Sequence, residues 1–591
     1  MNLNKAKEKF FKILFALAAI LCIVAVIAIF AFLIIRSLPT FRRIGFLNFV
    51  FGKEWKPNVD DGFTGEIKGK YGVFKMIIGT IAATIGSVTV GGLLGFFTAV
   101  FLSAFCPKKL KGIFGAIINL LAGIPSVVFG FFGMTVLLPL LGNFSDTGSG
   151  SGLLAVSLVL GLMILPTVTS LSRTSIDAVP SGYYEGARAL GATHEQAVFR
   201  AVVPAAKSGI VASIILGVGR AVGETMAVIM VAGNVVEYPK GLFQSFRVLT
   251  TNIVMEMGYA GDLQLGALIA TGVVLLIFIL IINSLTGLAS GGKKDKNCKK
   301  RSIEPLAKFF HIIKIEKIGK VVAFVSAGIA VLGLLSILVF VSVKGIPHLS
   351  AQLLFGKYSV RNVSILPSIV ATLLTVLISL IVAAPIGVFT AVFLNEYTKK
   401  GSKAVKVIRT AIDILSGIPS IVYALFGMVT FVVWLGGKPS ILAGSLTIAI
   451  MLLPTVVRST EESLKSVPDG LREGSLTLGA GKVRTVFKVV LPSALPGIAS
   501  AIILAMGRVV SESAPFIYTM GNSLKGMPAG VTDSGTTLAV ALYRLAGEGR
   551  FVNQAYATAF VLIVVVLSLN AVADLITKKL DKKLKGSKDG K

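Results

Sequence analysis

Charge is scarce in this chain. Of 591 residues only 15% are Asp, Glu, Lys or Arg, where soluble domains carry about a quarter. That excludes an ordinary soluble globular protein and indicates a polytopic membrane protein. Acidic residues are scarcer still, 28 against 58 Lys and Arg, which leaves a net charge of +30. A basic excess can signal nucleic acid, but here the cations sit in short stretches between long apolar runs. That is the pattern of topogenic lysines beside an anionic leaflet. Cysteine is nearly missing: Cys22, Cys106 and Cys298 stand singly, which excludes a disulfide framework or a cysteine metal cluster. His194, His311 and His348 are equally dispersed, so no histidine-based metal site is expected. The sequence also lacks a G-x-x-x-x-G-K-[ST] phosphate loop, the nearest approach being Gly436-Gly437-Lys438-Pro439. If ATP drives this protein, separate subunits must hydrolyse it.

What the chain has in quantity is apolar residue, 54% of the total. Runs long enough to span a bilayer lie at about 13–36, 73–104, 113–141, 152–172, 208–235 and 263–289. Six more lie at about 321–343, 364–394, 410–435, 441–457, 493–520 and 554–577. The first has no charge for 23 residues, Ile13 to Ile35, too long for a signal-peptide core and so read as a retained span. The expected fold is all-α and polytopic, with about twelve transmembrane helices in two six-helix units. Residues 1–292 form the first, 293–320 a basic linker and 321–591 the second.

Lys/Arg bias orients this topology. Lys5, Lys7, Lys9 and Lys12 precede the first span, and Lys108, Lys109 and Lys111 follow the second. The linker carries Lys293, Lys294, Lys296, Lys299, Lys300 and Arg301, and the tail Lys578, Lys579, Lys582 and Lys583. All fall on one face, which places both termini in the cytoplasm. The mixed loop at 38–72, with Arg42 and Arg43 among its cations, is a mild exception.

The halves repeat each other. Residues 162–227 align without a gap on 450–515 at an offset of 288, matching Leu165-Pro166-Thr167 to Leu453-Pro454-Thr455 and Pro204 to Pro492. Upstream, Gly123-Ile124-Pro125-Ser126 answers Gly417-Ile418-Pro419-Ser420. Repeats of one orientation imply a pseudo-two-fold axis along the membrane normal, with a pathway at their interface.

Within each repeat a polar loop reads Glu185-Gly186-Ala187 with Gly191, and again Glu473-Gly474-Ser475 with Gly479. The spacing predicts a short helix ended by a glycine at φ > 0, with the later proline marking the next helix boundary. Each fifth span carries an Arg and a Glu four residues apart: Arg220 and Glu224, then Arg508 and Glu512. On one helix such pairs share a face, which softens the cost of an Arg in the membrane, about 2.5–3.5 kcal/mol when single. Gly219, Gly223, Gly507 and Ser511 would let a helix or ligand approach. The planar, permanently charged guanidinium suits an anion pathway; the alternative is an ion pair that fixes packing.

The loop pattern is that of the EAA loop of ABC-importer permeases. In detail the chain resembles the phosphate-specific members. Its first half is similar to PstC through Tyr71-Gly72…Gly79-Thr80, the GIPS segment and GRAVGETMAV at 219–228. Its second half is similar to PstA through Phe393-Leu394-Asn395-Glu396-Tyr397, the second GIPS segment and Glu512-Ser513-Ala514-Pro515. The resemblance implies a natural fusion of two MetI-like units that imports inorganic phosphate across the cytoplasmic membrane and is not itself an enzyme. It implies two PstB-like ATP-binding subunits, which would carry the ATP, and a PstS-like extracytoplasmic phosphate-binding protein, with no cofactor in this chain. It makes Arg220, Glu224, Arg508 and Glu512 pathway residues. Glu185, Gly186, Ala187 and Gly191, with Glu473, Gly474, Ser475 and Gly479, become the ATPase-coupling loops. A permease for sulfate, molybdate or phosphonate, and more distantly an ion-coupled secondary transporter, are the alternatives.

Overall fold

The computed structural model describes residues 2–57, 69–145, 148–290, 315–359, 362–399, 402–433, 436–522, 524 and 526–586. Most of the linker, 293–314, lies outside the described residues. Among the described residues the regular structure is helical, apart from a two-stranded antiparallel ribbon, β1 (Trp55–Lys56) and β2 (Lys70–Tyr71), and an isolated bridge between Gly233 and Phe246.

The first half supplies α1 (Asn2–Ile44), α2 (Phe74–Phe105), α3 (Lys108–Ala122), α4 (Ser126–Gly142), α5 (Leu153–Asp177) and α6 (Ser181–Ala189). It continues with α7 (His194–Ala205), α8 (Lys207–Gly223), α9 (Met226–Val231), α10 (Leu249–Glu256) and α11 (Asp262–Ser290). The second half repeats this as α12 (Ile315–Gly345), α13 (Leu366–Tyr397), α14 (Lys403–Gly417), α15 (Ser420–Val433), α16 (Ile441–Lys465) and α17 (Asp469–Thr477). It ends with α18 (Lys482–Ser511), α19 (Ala514–Thr519), α20 (Leu538–Gly547) and α21 (Val552–Gly586).

Among the described residues nine helices are long and apolar enough to cross a membrane, and two bent pairs bring the number to as many as eleven. The expected twelfth, 113–141, is broken at its GIPS segment, because Pro125 takes an extended conformation (φ −60°, ψ 142°) between α3 and α4. Pro419 does the same at ψ 146°, and there the two helices meet at 98°. The buried hydroxyl of Tyr423 donates to the carbonyl of Leu415 at 2.7 Å, satisfying one acceptor that the broken helix end exposes.

Three further boundaries differ from expectation. Arg42 and Arg43, read as loop, occupy the last turn of α1, where cations suit the helix dipole. Residues 315–320, read as linker, are the first turn of α12. Pro204 and Pro492 do not begin new helices. Each follows a five-residue π turn, Val198–Val202 or Val486–Val490; the helical run continues through Pro492, whereas after Pro204 it ends at Ala205 and α8 turns away by 69°. A proline cannot donate its nitrogen and crowds the carbonyl four residues back, and the widened turn accommodates both faults.

The chain packs into two compact units that cut across the sequence halves. One comprises Leu47–Asn252 and Val274–Val343, the other Met1–Phe46, Ile253–Val273 and Lys344–Lys591. The leading helix of each half therefore completes the unit built mainly from the other half. In the second unit α1 lays Phe15 against Phe389 (5.3 Å between ring centroids) and Cys22 against Thr390 at 3.5 Å. Its buried residues, Phe15, Ala18, Cys22, Val26, Ile29 and Leu33, recur at three- and four-residue steps, while Ile13, Leu17, Ile20 and Ile27 are exposed. In the first unit α12 buries the seam Ala323, Ala327, Ala330, Leu334 and Ile337. Phe324 stacks edge-on with Phe101 at 4.7 Å, and Lys320 reaches Glu195 at 2.9 Å.

Charge anchors the ends of α5 and α16 in opposite senses. In α5, Arg173 pairs with Asp177 at 3.4 Å, Lys111 of α3 adds a contact at 3.7 Å, and the guanidinium rests over Gly115. In α16 the equivalent positions are Glu461 and Lys465, paired at 2.7 Å, and Arg409 of α14 bonds the buried Glu461 at 2.5 Å.

Candidate functional site

The sequence places Arg220 and Glu224 on one continuous helix, and likewise Arg508 and Glu512. The structure corrects this. α8 ends at Gly223 and α18 at Ser511, and Glu224 (ψ 136°) and Glu512 (ψ 144°) are extended residues at a break before the short helices α9 and α19. The spans expected at 208–235 and 493–520 are thus interrupted where the charge sits, and broken backbone in a membrane is tolerated where protein or a wet cavity faces it.

In the first half the Glu224 carboxylate accepts from the backbone N–H groups of Met226 (3.1 Å) and Ala227 (3.3 Å), capping the next helix with negative charge. Its carbonyl accepts the Thr250 hydroxyl at 2.9 Å. The N-terminus of α10 is tied back in turn, the N–H of Leu249 donating to the buried Thr80 hydroxyl at 3.1 Å. The second half repeats that tie with Leu538 and Thr372 at 3.0 Å. There Arg508 Nε lies 3.8 Å from the Glu512 carboxylate.

The partner common to both arginines is one that sequence reasoning missed. Arg220 donates from Nη1 to the Thr167 hydroxyl at 2.8 Å, and Arg508 to the Thr455 hydroxyl at 3.0 Å. These are the threonines of the twice-written Leu-Pro-Thr, and the signal was available, since Arg follows Thr by 53 residues in each copy. A hydroxyl fixes the direction of the guanidinium fork without cancelling its charge. Both guanidiniums are at least partly accessible. Gly219 and Gly507 do not mark tight helix packing: a Cβ on Gly219 would meet nothing within 4 Å, and one on Gly507 only Asn570 at 3.5 Å.

The EAA-like loops are short exposed helices, α6 and α17. Gly191 and Gly479 adopt φ 85° and 79°. The N–H of Ala192 donates to the carbonyl of Ala187 and that of Gly191 to Arg188, at 3.1 and 3.0 Å. The second copy matches, Ala480 to Ser475 and Gly479 to Leu476, at 3.2 and 3.0 Å. This is the Schellman closure, with glycine in the left-handed position. It explains the spacing from Ala187 to Gly191 and why Ser475 can replace alanine: the closure uses that residue's carbonyl. Glu185, Gly186, Glu473 and Gly474 are exposed on these helices. Leu190 and Leu478, just before each glycine, are 91% and 90% exposed.

The two short helices are fastened differently. Arg472 of α17 bonds Glu396 at 3.1 Å and the carbonyls of Leu464 and Val467 at 2.6 Å each. At the matching position of α6, Tyr184 lies 2.8 Å from Nδ1 of His194, whose Nε2 lies 3.1 Å from the carbonyl of Ala104. A carbonyl only accepts, so Nε2 is the donor in that contact.

A family model described as "Binding-protein-dependent transport system inner membrane component" matches residues 91–291 and again 383–586. The Probable ABC transporter permease protein YqgH of Bacillus subtilis is 38% identical over 276 residues, 45% of this chain and 87% of that protein. The Phosphate transport system permease protein PstA homolog of Mycoplasma genitalium is 28% identical over 586 residues, 88% of this chain and 86% of that protein. The Phosphate transport system permease protein PstC of Haemophilus influenzae is 33% identical over 300 residues, 48% of this chain and 92% of that protein. Matched once in each half, the chain belongs to the family of binding-protein-dependent transport system inner membrane components.

Proposed function

We propose that this chain is a membrane permease of an ATP-driven phosphate importer, a fusion of PstC-like and PstA-like halves. The observation that carries the reading is the pairing, in each half, of a threonine-held arginine at a helix break with an exposed, glycine-closed helix. The first suits a passing oxyanion, the second a docked motor. Both termini lie in the cytoplasm, on the side of the Lys/Arg-rich stretches. Two PstB-like ATP-binding subunits seat against α6 and α17 through residues 185–191 and 473–479, and bind all the ATP, so this chain needs no cofactor of its own. A PstS-like binding protein delivers phosphate from outside, and Arg220, Glu224, Arg508 and Glu512 form the charged part of its route.

Uptake of labelled inorganic phosphate by cells carrying the full transporter tests this. A hundredfold excess of sulfate should leave uptake unchanged. Equal inhibition by sulfate would move the assignment to oxyanions at large, and uptake without the ATP-binding subunits, driven by an ion gradient, would replace it with a secondary transporter.

A further inference from the structure

Helices α16 and α18 enclose an open cavity of about 360 Å³ lined by Ser459, Glu462, Ser463, Gly497, Ser500 and Leu504 among others. Helical phase relates it to the site above. Thr455, Ser459, Glu462 and Ser463 fall on one face of α16, and Arg508, Leu504, Ser500 and Gly497 on one face of α18. The cavity therefore begins one turn, about 6 Å, from the Arg508–Thr455 bond and runs toward the end of α16 that leads into α17. Gly497 permits it: a Cβ there would lie 2.2 Å from the Ser463 hydroxyl oxygen.

The first half shares the close approach of glycine to serine, a Cβ on Gly209 lying 2.2 Å from the Ser175 hydroxyl oxygen, but differs around it. At the positions matching Ser459, Glu462 and Ser500 it carries Leu171, Thr174 and Ala212. The buried pair Ser172–Ser213, bonded at 2.6 Å, is Thr460 and Ala501 in the second half, and the buried Thr460 hydroxyl has no hydrogen-bond partner. The second copy thus adds the Ser459 and Ser500 hydroxyls to this face, while the Ser463 hydroxyl donates to the Ser459 carbonyl at 2.7 Å.

We infer that the groove carrying Ser459 and Ser500 is the release route for the transported oxyanion, those two hydroxyls being supplied by the second half alone, with Glu462 as the group that expels it. This rests on the phosphate-importer reading. Once Arg508 lets go, serine hydroxyls donate to the anion's oxygens and replace its water without holding it by charge. The Glu462 carboxylate, exposed near the end of the groove, repels the anion and prevents a second resting place.

The test is uptake of labelled phosphate by the complete transporter. Replacing Ser459 and Ser500 by the first-half residues, Ser459→Leu with Ser500→Ala, should lower the maximal rate roughly tenfold or more with the half-saturating concentration changed less than twofold. Ser500→Ala followed by Ser500→Thr should show loss and recovery, and reads the same point if the double variant is poorly assembled. Glu462→Lys should slow turnover by trapping the anion. Leu171→Ser with Ala212→Ser should change nothing. Normal rates in all the second-half variants, or equal losses from the first-half pair, overturn the groove assignment. Wild-type protein that accumulates sulfate instead of phosphate overturns the cargo, and the same variants then test the groove with sulfate.

Discussion

Arg508 donates to the hydroxyl of Thr455 at 3.0 Å, and the same bond joins residues 220 and 167 at 2.8 Å in the first half. The threonine stands directly after the proline of Leu-Pro-Thr in α5 or α16, and the arginine on the last turn of the helix before the break. Each contact aims a cation across two helices, so removing the hydroxyl tests aim separately from charge.

Thr167→Val and Thr455→Val should each keep the arginine and lose its positioning. A hydrogen bond to a charged group is worth about 1.5–3 kcal/mol, so phosphate uptake should fall on the order of tenfold or more at unchanged membrane levels. Arg220→Gln and Arg508→Gln should all but abolish it. Full uptake by both threonine variants would reduce these bonds to packing.

Gly191→Val and Gly479→Val place a β-branched residue at φ 85° or 79° with open space around it. The local cost is about 1–2 kcal/mol, and no neighbour is displaced. The membrane fold should survive while ATP-binding subunits no longer co-purify. Retained co-purification with full ATPase stimulation would contradict a docking role.

Leu190→Asp and Leu478→Asp bear on the same surface from the side chain. Both leucines are almost wholly exposed, so thermal stability of the chain alone should be unchanged within a degree or two, a surface change costing under about 0.5 kcal/mol. Subunit capture should drop at least tenfold. Stability loss without loss of capture would be the contrary result.

Arg472→Ala should loosen α17 far more than Tyr184→Phe loosens α6. Removing Arg472 leaves the nearly buried Glu396 without this partner, a change of about 3–5 kcal/mol, against about 1 kcal/mol for one neutral bond. Hydrogen exchange over 469–477 and 181–189 reads the difference. The reverse order would show that the histidine relay is the stronger fastening.

Glu461→Arg should destabilise the second unit by setting three cations together. Arg409→Gly and Lys465→Asp on the same chain rebuild the first half's arrangement of Gly115, Arg173 and Asp177 and should restore most of the loss. Because the partners are half-exposed, the swing is on the order of 1–2 kcal/mol. Thermal unfolding of the three variants measures it, and a triple variant no better than the single one would exclude charge as the cause.

Local order was legible wherever one residue dictates conformation. Gly191 and Gly479, spaced from the EAA-like triplets, gave the left-handed closure, though the breaks at Pro125 and Pro419 fell inside runs read as single spans. The end of α8 was not, because Ala221-Val222-Gly223 continues an apolar run and nothing in its hydropathy separates helix from extended backbone. The Arg–Thr contact joins positions 53 residues apart, beyond any single helical period. The seam on α1 was hidden for a different reason. Its lipid-facing Leu17 and Ile20 are as apolar as its protein-facing Phe15 and Cys22, so amphipathic contrast, the usual guide to a buried face, is missing.

The exchange of leading helices imposes a timetable on synthesis. α1 ends at Ile44, while its packing partner α13 begins at Leu366, so 322 residues must be made before the contact can form. At about 5–20 residues per second that is a wait of roughly 16–64 s. α1 can endure it because its long apolar stretch is stable in lipid without a neighbour. α12 has no such delay, since the helices it joins already precede it.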